Sequence, residues 1–215
     1  RLSKNETERK DLEKAKLNSE LALLKSQISP HFFFNTMNNI YSLISLNKDD
    51  AGEAVLKLSN MMRYLLYESE SNFISLAREI SFMQNYFDLM KLRVNEKVTV
   101  TVSFPEDVKN IQISPLLFIP FIENAFKHGI SYREKSFIDI VLQVEEDKIN
   151  FMCRNSKVLS GKPVEKHSGI GLDNARKRLN LLYPGKHQLQ IEENEEMFQV
   201  LLTIQLYETE RKANL

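Results

Sequence analysis

Residues 120–129 read Pro-Phe-Ile-Glu-Asn-Ala-Phe-Lys-His-Gly and combine an apolar helix face with a polar one. On a helix, Asn124, Lys127 and His128 stand at positions i, i+3 and i+4, so they share one face, with Glu123 beside it. An amide oxygen is a hard ligand suited to Mg²⁺, and Lys and His side chains can stabilise phosphate charge. The pattern favours a phosphate-binding helix. The alternative is an ordinary polar helix end with Gly129 as its C-cap.

A second segment, residues 168–174, reads Ser-Gly-Ile-Gly-Leu-Asp-Asn and places a Gly-x-Gly pair at the start of a predicted helix. Backbone N–H groups at such a turn can approach phosphate oxygens at the positive helix end. The pair lacks the full dinucleotide fingerprint, and the chain contains no Walker A sequence. P-loop ATPases are therefore excluded on motif grounds.

A third segment, residues 29–35, reads Ser-Pro-His-Phe-Phe-Phe-Asn and places a proline within a helical stretch. Proline removes a backbone hydrogen bond and costs about 3 kcal/mol inside a helix, so we expect a kink at Pro30. His31 stands at this kink, and Asn35 follows at i+4 on the same face. A neutral imidazole can act as a nucleophile. The alternative is a packed histidine beside a kink.

Composition sets limits on the class of protein. The chain has 215 residues with 29 basic and 29 acidic side chains, which gives no support to direct nucleic-acid binding. A single cysteine, Cys153, cannot form an internal disulfide. No apolar run reaches the roughly 18 residues of a membrane span. Because the chain begins without Met, within a helical pattern, we expect it to be a fragment of a longer protein.

The first 95 residues contain one Gly and one Pro and are predicted to be helical. Apolar residues between 17 and 28 form a narrow seam typical of a coiled coil, or of one amphipathic helix. The polar run at 47–50 separates two helices of an antiparallel hairpin, and two such hairpins would form a four-helix bundle. The second helix is predicted to bury a face formed by Val55, Leu58, Met62 and Leu65. Ser75 is predicted to cap a third helix after a break at 70–75.

From about residue 96 the pattern changes to strands separated by two helices. Strands are predicted at 98–104, 136–145, 148–154, 187–193 and 197–206, and helices at 115–128 and between Gly169 and Pro184. This mixture of helices and mainly antiparallel strands predicts a two-layer α/β sandwich. The predicted domains are therefore residues 1–95 and residues 96–215.

Together and in this order, these segments resemble the LytS/YehU-type sensor histidine kinases over residues 15–208. Residues 30–35 resemble the family's phosphoacceptor box, and residues 58–64 resemble its second dimerisation helix. Residues 123–129 are similar to the N box of the GHKL ATP-binding fold, and residues 169–179 to its glycine box.

The resemblance implies an α+β protein with a helical hairpin that forms a dimeric four-helix bundle, followed by a GHKL (Bergerat-type) two-layer sandwich. It implies a protein-histidine kinase that binds ATP and Mg²⁺. His31 would take the γ-phosphoryl group and pass it to an aspartate of a response regulator receiver domain, in this family often of the LytTR class. It also implies a homodimer, and a longer, membrane-anchored bacterial parent of which this chain is the cytoplasmic portion.

The resemblance also assigns roles to individual residues. The implied catalytic residues are His31, Asn35 and Glu123. The implied nucleotide-binding residues are Asn124, Lys127, His128, Asn155, Gly169, Gly171, Leu172 and Asn174, with Asn124 also the Mg²⁺ ligand and residues 156–168 a lid.

The chain departs from the family pattern at two places. The usual adenine-binding Asp-x-Gly-x-Gly box is replaced by Cys-Arg-Asn-Ser-Lys at residues 153–157, where Asn155 can still accept a hydrogen bond from adenine. Phe32 stands where many histidine kinases have an acidic residue after the phosphoacceptor. These departures leave open an inactive GHKL-like pseudokinase acting as a dimeric signalling scaffold. A GHKL ATPase without phosphohistidine is a third alternative, weakened because Pro120 stands where such ATPases place a water-activating Glu.

Overall fold

The structure, a computed structural model, describes residues 30–69, 71–108, 110–157 and 170–206. The seam at 17–28, the chain before the expected kink, most of the implied lid and Gly169 lie outside these residues. Within them, no helix is long and apolar enough to cross a membrane.

The first half of the described chain is mainly helical, and its second half contains both strands and helices. Its helices are α1 (Pro30–Ile44), α2 (Lys48–Arg63), α3 (Leu76–Lys91), α4 (Ile119–Gly129) and α5 (Ile170–Leu182), and a π-helical segment, Tyr64–Glu68, extends α2. Its strands are β1 (Ile74–Ser75), β2 (Val98–Ser103), β3 (Gln112–Ile113), β4 (Ser136–Glu145), β5 (Lys148–Ser156), β6 (His187–Glu193) and β7 (Met197–Gln205).

Helices α1 and α2 form the predicted hairpin. Asn47 caps α2, because its side-chain oxygen accepts hydrogen bonds from the backbone N–H groups of Asp49, at 3.0 Å, and Asp50, at 3.3 Å. These two acidic residues in the first turn also stabilise the positive end of the helix dipole. The polar turn therefore both ends the first helix and starts the second.

The buried face of α2 differs in part from the prediction. Leu58 is buried and Leu65 half-buried, whereas Val55 and Met62 remain 50% and 40% exposed. The residues that α2 buries are Ala51, Ala54, Leu58 and Met61. Helix α2 packs against both α1 and α3, so its small alanines face inward and allow close approach from two sides.

The break before α3 is confirmed. The π-helical segment ends at Glu68, and strand β1 then pairs with β3 through Ile74 and Ile113. Ser75 caps α3 by accepting a hydrogen bond from the backbone N–H of Arg78 at 3.4 Å. Short pairing between β1 and β3 ties the start of α3 to the second half of the chain.

The second half is a five-stranded sheet with the order β2-β4-β5-β7-β6. Strand β2 is parallel to β4, and the remaining pairs are antiparallel. Alternate residues of β4, such as Ile138 and Ile140, are buried beneath α4. The predicted α+β class and two-layer sandwich are therefore confirmed, with helices on one face of the sheet among the described residues.

Helix α4 begins at Ile119 rather than at the predicted residue 115. The preceding residues, 114–118, form a buried irregular segment in which Leu116 has a φ of 56°. A non-glycine residue with that φ is left-handed and cannot continue a right-handed helix. The helix therefore starts one turn later than its apolar pattern suggests.

Helix α3 lies between the hairpin and the sandwich. Phe87 of α3 contacts Phe126 of α4 with ring centroids 5.9 Å apart, and it also contacts Phe104 at 6.0 Å. Residues on both sides of the predicted domain boundary at residue 95 therefore belong to one hydrophobic core. The division into two domains stays a prediction.

Candidate functional site

Helix α4 carries four of the implied site residues on its polar side. Glu123 and Asn124 are half-buried, and Lys127 and His128 are exposed in the last turn. Apolar residues on the other side, including Phe121 and Ile122, are completely buried. The amphipathic pattern of residues 120–129 is confirmed, and it holds the polar face at the surface of a rigid core.

Glu123 has an environment that favours its neutral form. Burial raises the pKa of its carboxyl to about 7. Burial raises the pKa of Tyr86 on α3, and the negative charge of an ionised Glu123 raises it further. A carboxyl that titrates near pH 7 can exchange a proton with a substrate at neutral pH.

The last turn of α4 contributes one fixed positive charge. Partial burial, followed by the charge of Lys127, lowers the pKa of His128, so its imidazole is neutral at pH 7. Lys127 can therefore attract phosphate oxygens by charge, and His128 can donate a ring N–H to them.

Asn155 lies at the end of β5, against the end of α4. Its side chain is buried and packs so closely on Gly129 that a Cβ on that glycine would lie 2.6 Å from the Cβ of Asn155. The Asn155 Nδ2 donates to the carbonyl of Ser156 at 2.8 Å. Its buried Oδ1 has no hydrogen-bond partner among the described residues. A buried acceptor without a donor is unfavourable, so this oxygen fits a donor that a ligand brings.

Helix α5 brings the second phosphate-binding candidate beside the first. It packs against α4, with Gly171 exposed and Leu172 and Asn174 half-buried in its first turns. A Cβ on Gly171 would meet no atom within 4 Å, so packing within the described residues does not require glycine there. Because Gly169 lies outside those residues, the Gly-x-Gly turn stays a prediction.

The helix that contains His31 is fixed to the same core. His31 is in the first described turn of α1, and Asn35 follows one turn later, half-buried. Phe32 is buried and stacks on Tyr86 with centroids 4.8 Å apart, and Tyr86 meets Phe126 of α4 edge-on at 6.0 Å. Phe32 therefore packs in the core, which explains why an apolar residue occupies this position.

Sequence reasoning assigned no site role to Glu79, which is buried, nor to Tyr64 and Arg178, which are also buried. Glu79 stands three residues after Leu76 and four before Met83, within the apolar stripe of α3. An acidic residue in an apolar stripe was the available signal, because a charge is buried only where partners compensate it.

Metal-binding groups are sparse in the described part of the chain. No group of three or more His, Cys, Asp or Glu side chains there could hold a metal ion. The half-buried Asn124 amide still fits a Mg²⁺ ion that takes its other ligands from nucleotide phosphates and water.

Comparison with known proteins finds similarity to histidine kinases. A family model described as "Histidine kinase" matches residues 19–98. The sensor protein LytS of Staphylococcus haemolyticus is 28% identical over 189 residues, which cover 82% of this chain and 32% of that protein. The sensor histidine kinase/phosphatase LytS of Staphylococcus aureus (strain MRSA252) is 29% identical over 211 residues, or 89% of this chain and 34% of that protein. By these matches the chain is similar to LytS-type histidine kinases over most of its length.

The chain spans about a third of the length of the curated relatives it matches. It is also similar to the histidine kinase domain from Erythrobacter litoralis EL346 blue-light activated histidine kinase, at 14% identity and a TM-score of 0.48. That match covers 91% of this chain and 98% of the other. The catalytic domain of histidine kinase ThkA matches 62% of this chain and 93% of its own, at 16% identity and a TM-score of 0.45.

Proposed function

We propose that this LytS-type chain is an ATP-dependent protein-histidine kinase. In this proposal His31 accepts the γ-phosphoryl group of ATP and passes it to an aspartate of a response regulator receiver domain, of which the LytTR class is the first to test. The observation that carries the nucleotide part is the buried Asn155 Oδ1, an acceptor without a described donor at the end of helix α4.

The nucleotide would lie between α4, the end of β5 and the start of α5. The exocyclic amino group of adenine would donate to Asn155 Oδ1, beside the backbone of Gly129. The phosphates would face Lys127 and His128 on one side. Gly169, Gly171, Leu172 and Asn174 would border them on the other, where helix N–H groups favour anions.

Asn124 would hold Mg²⁺ together with the nucleotide phosphates. The metal supplies neutralisation of phosphate charge and orientation of the transferred group. The residues of this chain would contribute mainly by positioning the reacting groups, which is the main source of catalysis in phosphoryl transfer.

Phosphoryl transfer needs a neutral imidazole on His31. The ring nitrogen without a proton attacks phosphorus, the N–P bond forms, and the bond from phosphorus to the ADP oxygen breaks. The other ring nitrogen then loses its proton. Glu123, with a carboxyl pKa of about 7, is our candidate to receive it, and Asn35, one turn from His31, is our candidate to orient the ring.

Two exposed apolar stripes support a homodimer. On α1 the stripe consists of Phe34, Met37, Tyr41 and Ile44, at spacings of three, four and three residues. On α2 and the π-helical segment that extends it, Val55, Met62 and Leu66 are exposed. Pairing this hairpin with the hairpin of a second copy would bury both stripes in a four-helix bundle.

We also propose that the full-length protein is a membrane-anchored sensor and that this chain is its cytoplasmic portion.

The second candidate function is a dimeric scaffold without kinase activity. One observation favours it: the adenine position holds the neutral amide of Asn155 rather than a carboxylate. Incubation with γ-labelled Mg-ATP, followed by addition of a receiver domain, separates the two. The kinase account expects acid-labile label on the chain that moves to the receiver. Binding of Mg-ATP without labelling would favour the scaffold.

A further inference from the structure

Helix α3 places one carboxylate, Glu79, completely inside the protein. Its Oε2 accepts hydrogen bonds from the backbone N–H of Leu116, at 3.0 Å, and from the hydroxyl of Tyr64. Its Oε1 accepts from the backbone N–H of Leu117 at 3.1 Å. The carboxylate therefore joins the end of the hairpin to the segment that precedes α4.

The same segment is held from the other side by α5. Arg178 is buried and donates to the carbonyl oxygens of Leu116, at 2.9 Å, and Pro115. The hydroxyl of Tyr183 accepts a hydrogen bond from the backbone N–H of Ser114 at 3.1 Å. The Glu79 carboxyl group thus accepts from the N–H groups of this turn, and the Arg178 guanidinium donates to its carbonyl groups.

The segment needs such support because its backbone is strained. Leu116 has a φ of 56°, which is unfavourable for a residue with a side chain, and such conformations persist only where the surroundings impose them. The strained turn ends directly at α4, which begins at Ile119. A change in the turn would therefore move the helix that carries Glu123 and Asn124.

We propose that Glu79 is a positioning residue for the nucleotide site, which fixes residues 114–118 and thereby the place and direction of α4. Tyr64 is the second anchor of this carboxylate, and it lies in the π-helical segment that directly follows α2. The end of the hairpin and the start of the nucleotide helix are therefore bonded to the same side chain. The consequence for ATP rests on the proposed function, whereas the consequence for the backbone does not.

Charge adds to this arrangement. Burial raises the pKa of Glu79 and lowers that of Arg178, so burial alone would favour the neutral form of each. The positive charge of Arg178 and the Tyr64, Leu116 and Leu117 donors oppose that effect at Glu79. Replacing the Glu79 carboxyl by an amide would exchange one acceptor oxygen for a donor group while keeping the shape.

The alternative is that Glu79 merely holds helices together. Asp88 provides a matched control, because it lies on the same helix and pairs with Lys57 of α2 at 2.9 Å. Asp88→Asn weakens the packing of α2 on α3 without touching the segment before α4. A role in general packing would give Glu79→Gln and Asp88→Asn the same phenotype.

The experiment uses the full chain and the variants Glu79→Gln, Tyr64→Phe and Asp88→Asn. Amide hydrogen exchange is measured without nucleotide over residues 114–129, with strands β5 and β7 as the internal reference for global opening. ATP affinity is measured by calorimetry well below each unfolding temperature. We expect Glu79→Gln to accelerate exchange at 114–124 and to weaken ATP binding, each by about tenfold or more. Tyr64→Phe is expected to accelerate exchange and to weaken ATP binding by about threefold each. Asp88→Asn is expected to change neither the exchange rate nor the ATP affinity.

A folded Glu79→Gln protein with wild-type exchange at 114–124 would overturn the proposal. Should Glu79→Gln fail to fold, Tyr64→Phe decides, because unchanged exchange in that variant contradicts the link and faster exchange supports it. If the wild-type chain binds no ATP, the proposed function fails, and the exchange measurement still decides the role of Glu79.

Discussion

The ring of Phe32 stacks on the ring of Tyr86, with centroids 4.8 Å apart and planes inclined by 20°. Tyr86 in turn contacts Phe126 on α4, so the residue next to His31 is connected to the helix of Glu123 and Asn124 by two aromatic contacts. This relationship fixes the helix that contains His31 on the half of the chain that contains α4.

Removing the stack between Phe32 and Tyr86 should uncouple α1 from α4. We expect Phe32→Ala to lower the free energy of unfolding by about 3–4 kcal/mol, because a buried aromatic ring is lost. Autophosphorylation should fall more than ATP affinity, because the nucleotide site itself is intact. Chemical denaturation, calorimetry and labelling test this, with Asn38→Ala, exposed on the same helix, as the control. Equal losses of ATP affinity and of labelling would contradict the coupling.

The close contact between Gly129 and Asn155 gives a second prediction. A Cβ at residue 129 would lie 2.6 Å from the Asn155 Cβ, so Gly129→Ala should displace the amide and destabilise the fold by about 1–3 kcal/mol. ATP affinity should fall in the folded variant, as measured by calorimetry.

Gly52→Ala is the matched control for this contact. A Cβ there meets no atom within 4 Å, so this variant should gain up to about 1 kcal/mol of helix stability. It should bind ATP like the wild type. Unchanged ATP affinity in Gly129→Ala would count against Asn155 as an adenine contact.

The buried carboxyl of Glu123 makes stability depend on pH. Its pKa rises from an ordinary value of 4.5 to about 7 in the folded chain, so the folded state holds a proton that the unfolded state has lost between these values. Stability therefore falls as pH rises through this window, by as much as about 3 kcal/mol from this group.

Glu123→Gln should remove that contribution. Denaturation is measured at pH 4.5, 6 and 7.5 with a chelator present, and the variant should become progressively more stable than the wild type as pH increases. Parallel stability profiles for the two proteins would show that Glu123 titrates normally.

The exposed stripe on α1 predicts the dimer interface. Tyr41 is 78% exposed in the single chain, so Tyr41→Glu should leave the fold of the protomer unchanged and weaken dimerisation by placing a charge in the bundle. Sedimentation equilibrium should show a dissociation constant raised by about tenfold or more. Ser42→Glu, exposed and about 100° around the same helix from Tyr41, should sediment like the wild type. A wild-type dimer in Tyr41→Glu would place the interface elsewhere.

Local patterns were sufficient for much of the fold. Strands β4 and β6 lie at their predicted residues, and Ser75 caps α3, because alternation and capping depend on nearby sequence. The buried face of α2 was predicted less well. Its alanines lie between two neighbouring helices, and the sequence of α2 alone does not show that it has two neighbours.

The start of α4 shows the same limit for the site. Residues 115–118 were predicted to be helical, but backbone groups of residues 115–117 bond to Glu79 and Arg178, which lie 37 and 62 residues away from Leu116. Such distant partners are set by tertiary packing, and no local pattern indicates them. The positions of Asn124 and Lys127 on one helix face followed from spacing alone, whereas the contact of Asn155 with Gly129 required the fold.

The most direct test of the kinase account is labelling of the full chain with γ-labelled Mg-ATP, comparing the wild type with His31→Gln. His187→Gln is the matched control, because the His187 ring bonds to the Tyr183 carbonyl, away from α1. The account predicts acid-labile, alkali-stable label in the wild type and in His187→Gln, and none in His31→Gln. Equal labelling of His31→Gln and wild type, or no labelling of a folded wild-type protein that binds ATP, would contradict it.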